Sequence, residues 1–448
     1  MNIGDLKSSL NPNQIGQEIY EFIAQLYPIC RSITGNGLRE TLGGIQRHVP
    51  ITVCEVATGT QVFDWTIPKE WNIKDAYIKN LDGARIIDFH SSNLHVVNYS
   101  IPVHKRVTLS ELKSHLYSLP EHPNWIPYRT SYYKEDWGFC LSHNQLLAMK
   151  DGEYEVCIES SLEPGHLSYG EYFLQGETPD EVLISCHVCH PSLCNDNLSG
   201  ISLVTFLAKS LGPLSLRYSY RFLFIPGTIG SITWLAQNED RVSRIKHGLV
   251  IANVGDSGRL TYKKSRSGAA EIDSTVTHVL RHSGKDFEVM DFSPYGYDER
   301  QFCSPGFNLP VGCLNRTPYG RFPEYHTSAD NLDFVQPRYL GDSCFECLSV
   351  LSAIESNKVY RNLNPKCEPQ LGKRGLYRAL GGQRDGGLSE LSMLWVLNLS
   401  DGQHTLLDIA EKSGSPIDAI EKAAKLLLNH GLLQECNIGD IEATRAKM

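Results

Sequence analysis

The stretch SCHVCHPSLCNDNLSG, residues 185–200, brings His187, His190 and Asp196 together between an apolar run and a helical pattern. Imidazole nitrogen and carboxylate oxygen are donors that Zn²⁺ favours, and catalytic zinc keeps one coordination position open for water or substrate. One histidine at a strand end is ordinarily a core residue. Two with an aspartate at a strand–loop–helix junction point to a metal, and the polar triplet Asn195-Asp196-Asn197 has no place in an apolar core. Asp256, in NVGDSG, also follows an apolar run; its alternative is a turn former. In EYHTSAD (324–330), His326 is a candidate ligand and Asp330 a candidate partner for its second ring nitrogen. The alternative there is a helix start capped by Thr327 or Ser328.

Such groups need a scaffold that gathers them. From about 181 strands and helices alternate: EVLISCHV, LSGISLVTFLAKSLG, SYRFLFIPG, SITWLAQN, HGLVIANVGD. Continuous apolar strands between helices predict a mostly parallel sheet covered on both faces, an α/β fold with ligands at the carboxyl ends of its strands. Residues 14–28 have helical spacing, and 31–43 form a Gly-rich, arginine-bearing loop entering a short helix. Short β-prone runs between about 50 and 150 predict an inserted β-rich domain, which includes the aromatic stretch PNWIPYRTSYYKEDWGFCLS. Past about 360 a polar linker leads to three helical pieces and a β-like tail, the layout of a winged helix-turn-helix. The domains expected are 1–48 with 150–360, 49–149, and 368–448.

Composition limits the partners. The net charge is −9, and the Lys and Arg of the last domain (373, 374, 378, 384, 412, 422, 425, 445 and 447) are matched by acids. Asp418 and Glu421 stand in its recognition-helix segment. A protein-docking or dimerising role is expected there rather than nucleic-acid binding, which asks for a basic surplus. No apolar run nears the roughly 20 residues of a membrane span, and the start MNIGDLKSSLNPNQ lacks secretory features, so a cytoplasmic chain is expected. The 13 cysteines read as buried thiols. The spacings Cys186/Cys189 and Cys344/Cys347 lack a second pair at zinc-ribbon distance.

The order of these motifs resembles the zinc aminopeptidases of the bacterial leucyl aminopeptidase and glutaminyl cyclase type. More closely, nearly the whole chain is similar to an aminopeptidase-like family described with polysaccharide biosynthesis, which carries an inserted β domain and a carboxyl-terminal winged helix. The resemblance implies one or two Zn²⁺ on His187, Asp196, Asp256 and His326, with Asp196 bridging and His190 an extra candidate. It also implies that Asp298, in YGYDERQFCSPGFNLPVG (295–312), lies near the substrate. Two departures bear on activity. Cys189 replaces an aspartate that orients the first histidine, and Gly227-Thr228 replaces a Glu-Glu pair whose first member is the general base. Replacement carboxylates are Asp298, Glu299, Glu324 and Glu271. Candidate substrate contacts are Arg300, Arg31, Arg39, Arg321, Tyr132, Tyr133 and Trp137, since arginine suits carboxylate or phosphate. The expected function is zinc-dependent hydrolysis of an amide in a small amino-acyl or peptide substrate. The alternatives are a cyclase or acyl transferase on the same site, and a silent scaffold that binds a metabolite or a protein partner.

Overall fold

The computed structural model describes residues 2–376 and 387–436. Arg378, Arg384, Arg445 and Lys447, counted above in the charge balance, lie outside the described residues. One unit takes in Ser9–Asp273 and Asp286–Phe345; the other takes in Asn2–Ser8, Ser274–Lys285 and the chain from Glu346 on.

The first unit is built on eight strands: β1 (Thr52–Ala57), β2 (His166–Leu174), β3 (Glu181–His187), β4 (Ser219–Ile225), β5 (Ile245–Ile251), β6 (Leu260–Lys263), β7 (Phe287–Met290) and β8 (Val311–Asn315). Their order across the sheet is β1-β2-β4-β3-β5-β8-β6-β7. The middle four run parallel, while β1, β2 and β6 add antiparallel pairs. Every residue of β3 and β4 is buried, which is why these segments are mostly apolar rather than alternating, with Glu181 and Arg221 buried as an ion pair.

Helices cover the sheet. In α1 (Pro12–Leu26) the Asn11 side chain accepts the N–H groups of Asn13 and Gln14, and proline stands in the first turn, a start that satisfies groups a helix end would leave orphaned. Its buried stripe is Ile15, Ile19, Phe22, Ile23 and Leu26. α2 (Asn36–Gln46) follows the Gly-rich loop. α3 (Gly200–Leu211) and α4 (Ile229–Gln237) leave the ends of the segments after β3 and β4.

A separate four-stranded antiparallel sheet uses Glu70–Lys79, Arg85–Asp88, Val103–Thr108 and Glu153–Glu163. It has its own core around Ile78, Leu112, Phe139 and Val156. β1 belongs to the large sheet although it falls within 49–149. Ala57 and His166 are cross-strand partners, so the chain leaves and re-enters the large sheet at one point. On that ground we propose 58–165 as the inserted segment.

In the second unit, Val359–Asn362 pairs antiparallel with Asp401–Thr405 and Leu433–Glu435. Around this small sheet stand helices Gly387–Leu399, Leu406–Ser413 and Ile417–Asn429. Thr405 and Asp408 form a reciprocal cap at the second helix, which Gly414 closes at φ 64°, a conformation glycine adopts without Cβ strain. Among the described residues no helix is long and apolar enough to cross a membrane, and the thirteen cysteines are thiols rather than disulfides.

Candidate active site

His187 is the last residue of β3, and the irregular turn Cys194–Ser199 carries Asp196 back beneath it before α3 begins. His187 Nε2 lies 2.9 Å from Asp196 Oδ1. His326 Nε2 lies 3.0 Å from the other oxygen, Oδ2, and His190 Nε2 is 3.8 Å from that same oxygen. One fully buried carboxylate therefore faces three imidazoles. Among the described residues, the ligand atoms of His187, His190 and Asp196 form a group in which all lie within 4.8 Å of one another.

The electrostatics suit a cation. Burial works to raise the Asp196 carboxyl, yet the surrounding His190, His187 and His326 hold it well below the ordinary carboxylate range. Burial pushes His190 down to about 3 against the pull of Asp196, so it stands as a neutral imidazole, the form that binds metal. Three neutral-capable imidazoles and one ionised carboxylate are a donor set that fits zinc.

Other side chains fix these rings. Asn197 Nδ2 reaches His187 Nδ1 at 3.3 Å, the Tyr297 ring stacks on His187 at 5.2 Å, and Tyr325 stacks on His326 at 3.9 Å. The inserted segment takes part. Tyr128 N–H donates to the His326 carbonyl at 2.8 Å, and the Tyr128 ring lies against both His190 and His326. His326 itself adopts φ 57°, a strained backbone for a histidine.

Asp330 does not hold the second nitrogen of His326. It accepts the backbone N–H of Asn195 at 2.6 Å and of Asp196 at 2.9 Å, and so it shapes the turn that carries Asp196. Thr327 caps no helix; its hydroxyl accepts the Ala329 N–H within the loop. Asp256 stands at the end of β5 but apart from the cluster. Its oxygens are taken by Asn195 Nδ2 at 2.8 Å, Gly258 N at 2.6 Å and the Thr317 hydroxyl at 2.6 Å. The motif that read as a ligand is here a hydrogen-bond hub between β5 and the turn of Asp196.

Over the imidazoles opens a cavity of about 490 Å³, lined in part by His187, His190, Gly227, Asp298, Arg300 and His326. Asp298 is fully buried. Its Oδ1 accepts the Ser231 hydroxyl at 2.7 Å, while Oδ2 has no hydrogen-bond partner among the described residues. A Cβ built on Gly227 would sit 3.4 Å from that free oxygen and 3.1 Å from His187 Cβ. The carboxylate of Asp298 thus borders the space that a side chain at 227 would enter. Burial, the largest influence, lifts Asp298 to about 6 against the opposing pull of His187 and Ser231.

The remaining candidates divide. Tyr132, Tyr133 and Arg300 line the cavity. Glu299 is buried but ion-paired to Lys263 at 2.5 Å, and Glu324 and Glu271 are not among the lining residues. Arg31, expected to contact substrate, is entirely buried and donates to the carbonyls of His190 at 2.8 Å and Leu26 at 2.7 Å. It braces the histidine loop from behind. Arg39 pairs with Glu70, Arg321 with Glu288 at 3.0 Å, and Trp137 stacks on His115. Cys189 is buried beside His190, its thiol pushed by burial to about 12, so it supplies no charge in place of a carboxylate. Sequence reasoning missed Ser231, Tyr297, Tyr325 and Trp65. Of these Tyr297 and Tyr325 carried a signal, as the neighbours of Asp298 and His326.

A mixed α/β sheet with its polar cluster at the carboxyl ends of parallel strands defines an aminopeptidase-like scaffold. The chain belongs to the family described as a domain of unknown function (DUF4910), whose model matches residues 20–357; a winged helix-turn-helix model matches 358–435. A Clostridium acetobutylicum protein, provisionally named as a polysaccharide biosynthesis protein with an aminopeptidase-like domain, is 56% identical over 95% of this chain and 98% of its own. A crystal structure from the same organism, provisionally named a peptidase, is 54% identical over the same shares, with a TM-score of 0.91. The fold is also that of a zinc aminopeptidase from Bacillus subtilis, at 12% identity over 75% of this chain and 94% of the other, TM-score 0.54.

Proposed function

We propose that the chain is a zinc-dependent hydrolase that cleaves an amide bond of a small acylated substrate, with Asp298 as the general base. His187, Asp196 and His326 would hold the metal, with His190 as a further ligand. Zinc, when bound, polarises the scissile carbonyl and lowers the pKa of water towards ~7.

The single observation that carries the reading is the free Oδ2 of Asp298, buried over the histidine cluster beside Gly227. As water attacks the amide carbon, Asp298 Oδ2 accepts its proton and later returns it to the leaving nitrogen as the C–N bond breaks. Ser231 holds the other oxygen and so fixes the direction of the free one. A base with pKa near the working pH is the efficient choice, and burial brings Asp298 towards that range. Tyr297 and Asn197 keep His187 in its orientation. The reading is tested by metal content and turnover together. Near-stoichiometric zinc that vanishes in Asp196→Ala, with hydrolysis of small N-acyl amides lost in Asp298→Asn, supports it. No zinc in the native protein, or unchanged turnover in Asp298→Asn, would sink it.

For the winged helix we propose protein docking or self-association. Helix Ile417–Asn429 exposes Leu426 and Leu428, and its Lys425 is paired with Glu421 at 2.6 Å, a poor face for phosphates. Retention of the intact chain on a heparin column at 0.3 M salt would argue for nucleic acid instead.

A further inference from the structure

An enzyme that selects a free amino terminus offers it a carboxylate, several oxygen acceptors or a metal ion. Around the cavity the balance of charge is the opposite. Its described lining residues include two guanidinium groups, Arg129 and Arg300, and a single carboxylate, Asp298. That carboxylate already has the proton-transfer role proposed above, and Asp196 beneath is turned towards its imidazoles.

Arg300 is the informative residue. Its guanidinium lies 5.7 Å from the Tyr295 ring centroid at the cavity wall, and its Nε is buried with no hydrogen-bond partner. A buried charged donor without an acceptor is costly, about 1–3 kcal/mol or more, and native proteins rarely keep one without use. Glu299, the next residue in sequence, does not supply that acceptor: its carboxylate is ion-paired to Lys263, and among the described residues neither of its oxygens receives a hydrogen bond. Arg129 adds a second cation at the same cavity; its guanidinium lies 3.5 Å from the Tyr128 carbonyl. Trp65 and Tyr133, edge to face at 5.2 Å and both exposed, give the opening an apolar wall against which the body of a ligand can lie.

We infer that Arg300, with Arg129, forms an anion-binding subsite, and that the substrate is a small amide whose non-reacting end carries a carboxylate or phosphate rather than a peptide entering by its amino terminus. The inference rests on the proposed function only in taking this cavity as the substrate site. Charge-assisted contact to a guanidinium is stronger than a neutral hydrogen bond and often bidentate, so charge at the far end of the ligand becomes the main determinant of affinity.

The test uses the zinc-loaded full chain and isothermal titration calorimetry with two matched pairs: N-acetyl-L-glutamate against N-acetyl-L-glutamine, and N-acetylglucosamine 6-phosphate against N-acetylglucosamine. In at least one pair the anion should bind about ten-fold more tightly, the scale of one charged hydrogen bond. That preference should disappear in Arg300→Gln and survive in part in Arg300→Lys, which keeps the charge without the fork. The pair that responds identifies carboxylate or phosphate. Equal affinities within both pairs, no saturable binding at millimolar concentration, or a preference that persists in Arg300→Gln overturns the subsite. Should Asp298→Asn leave turnover intact while the anion preference stands, the hydrolase reading fails and the subsite does not. Hydrolysis of neutral amides with no anion preference is the reverse result.

Discussion

The ends of β3 and β5 carry the same kind of group and put it to different use. At β3 the carboxylate of Asp196 is ringed by three imidazoles, two of them at hydrogen-bond distance, where a ring N–H donates or gives way to a metal according to tautomer. At β5 the carboxylate of Asp256 is met by an amide, a hydroxyl and backbone N–H groups, each a donor. A carboxylate whose lone pairs are spent on amide, hydroxyl and backbone donors is a structural hub; one ringed by imidazoles, which can exchange a ring proton for a metal, is placed to share a cation with them. Residue type and strand-end position are shared between the two, so the difference lies in the partners alone.

The largest test of that contrast is Asp196→Ala, for which plasma mass spectrometry should find zinc reduced from near one equivalent to background. Asp298→Asn should retain the zinc and lose on the order of 10²–10⁴ in kcat/KM, the usual value of a positioned base. Next comes the pH profile. Asp298 must be deprotonated to accept a proton, and burial raises its pKa to about 6. Activity should therefore fall about ten-fold per unit as pH drops below that value, and any residual rate of Asp298→Asn should lack that limb. Asp256→Asn should keep its zinc but unfold at lower denaturant, by about 1–3 kcal/mol, because it exchanges an acceptor for a donor among donors. Loss of zinc in that variant would erase the contrast between the two strand ends. The smallest effect is expected of Gly227→Glu. The new side chain begins 3.1 Å from His187 Cβ and 3.4 Å from Asp298 Oδ2, so it should give no gain in turnover; a large gain would show that the native chain lacks a working base.

How far the sequence could be read depended on how local the signal was. The parallel strands were legible because burial on both faces leaves continuous apolar runs, and His187 and Asp196 because they share one strand–turn–helix junction. The winged helix was legible from its three helical periods, in agreement with the matching family model. Arg31 was misread because a Gly-rich loop with an arginine looks like a ligand loop, whereas the side chain turns inward to the His190 carbonyl, a partner far along the chain. β1 was among the β-prone runs but was given to the 49–149 insertion, because its partner strand lies beyond the whole insertion.

By itself, then, the sequence determined the fold class, the order of the motifs and the candidate donors, since periodicity and residue chemistry are properties of short segments. Only the tertiary structure decided which donors meet. It spent Asp256 on hydrogen bonds, turned Asp330 to the backbone of Asp196, and left one oxygen of Asp298 and the Nε of Arg300 without partners at the cavity. The physical reason is that a lone pair or an N–H becomes available for chemistry only when nothing nearby satisfies it, and its neighbours come from strands and loops far apart in the chain.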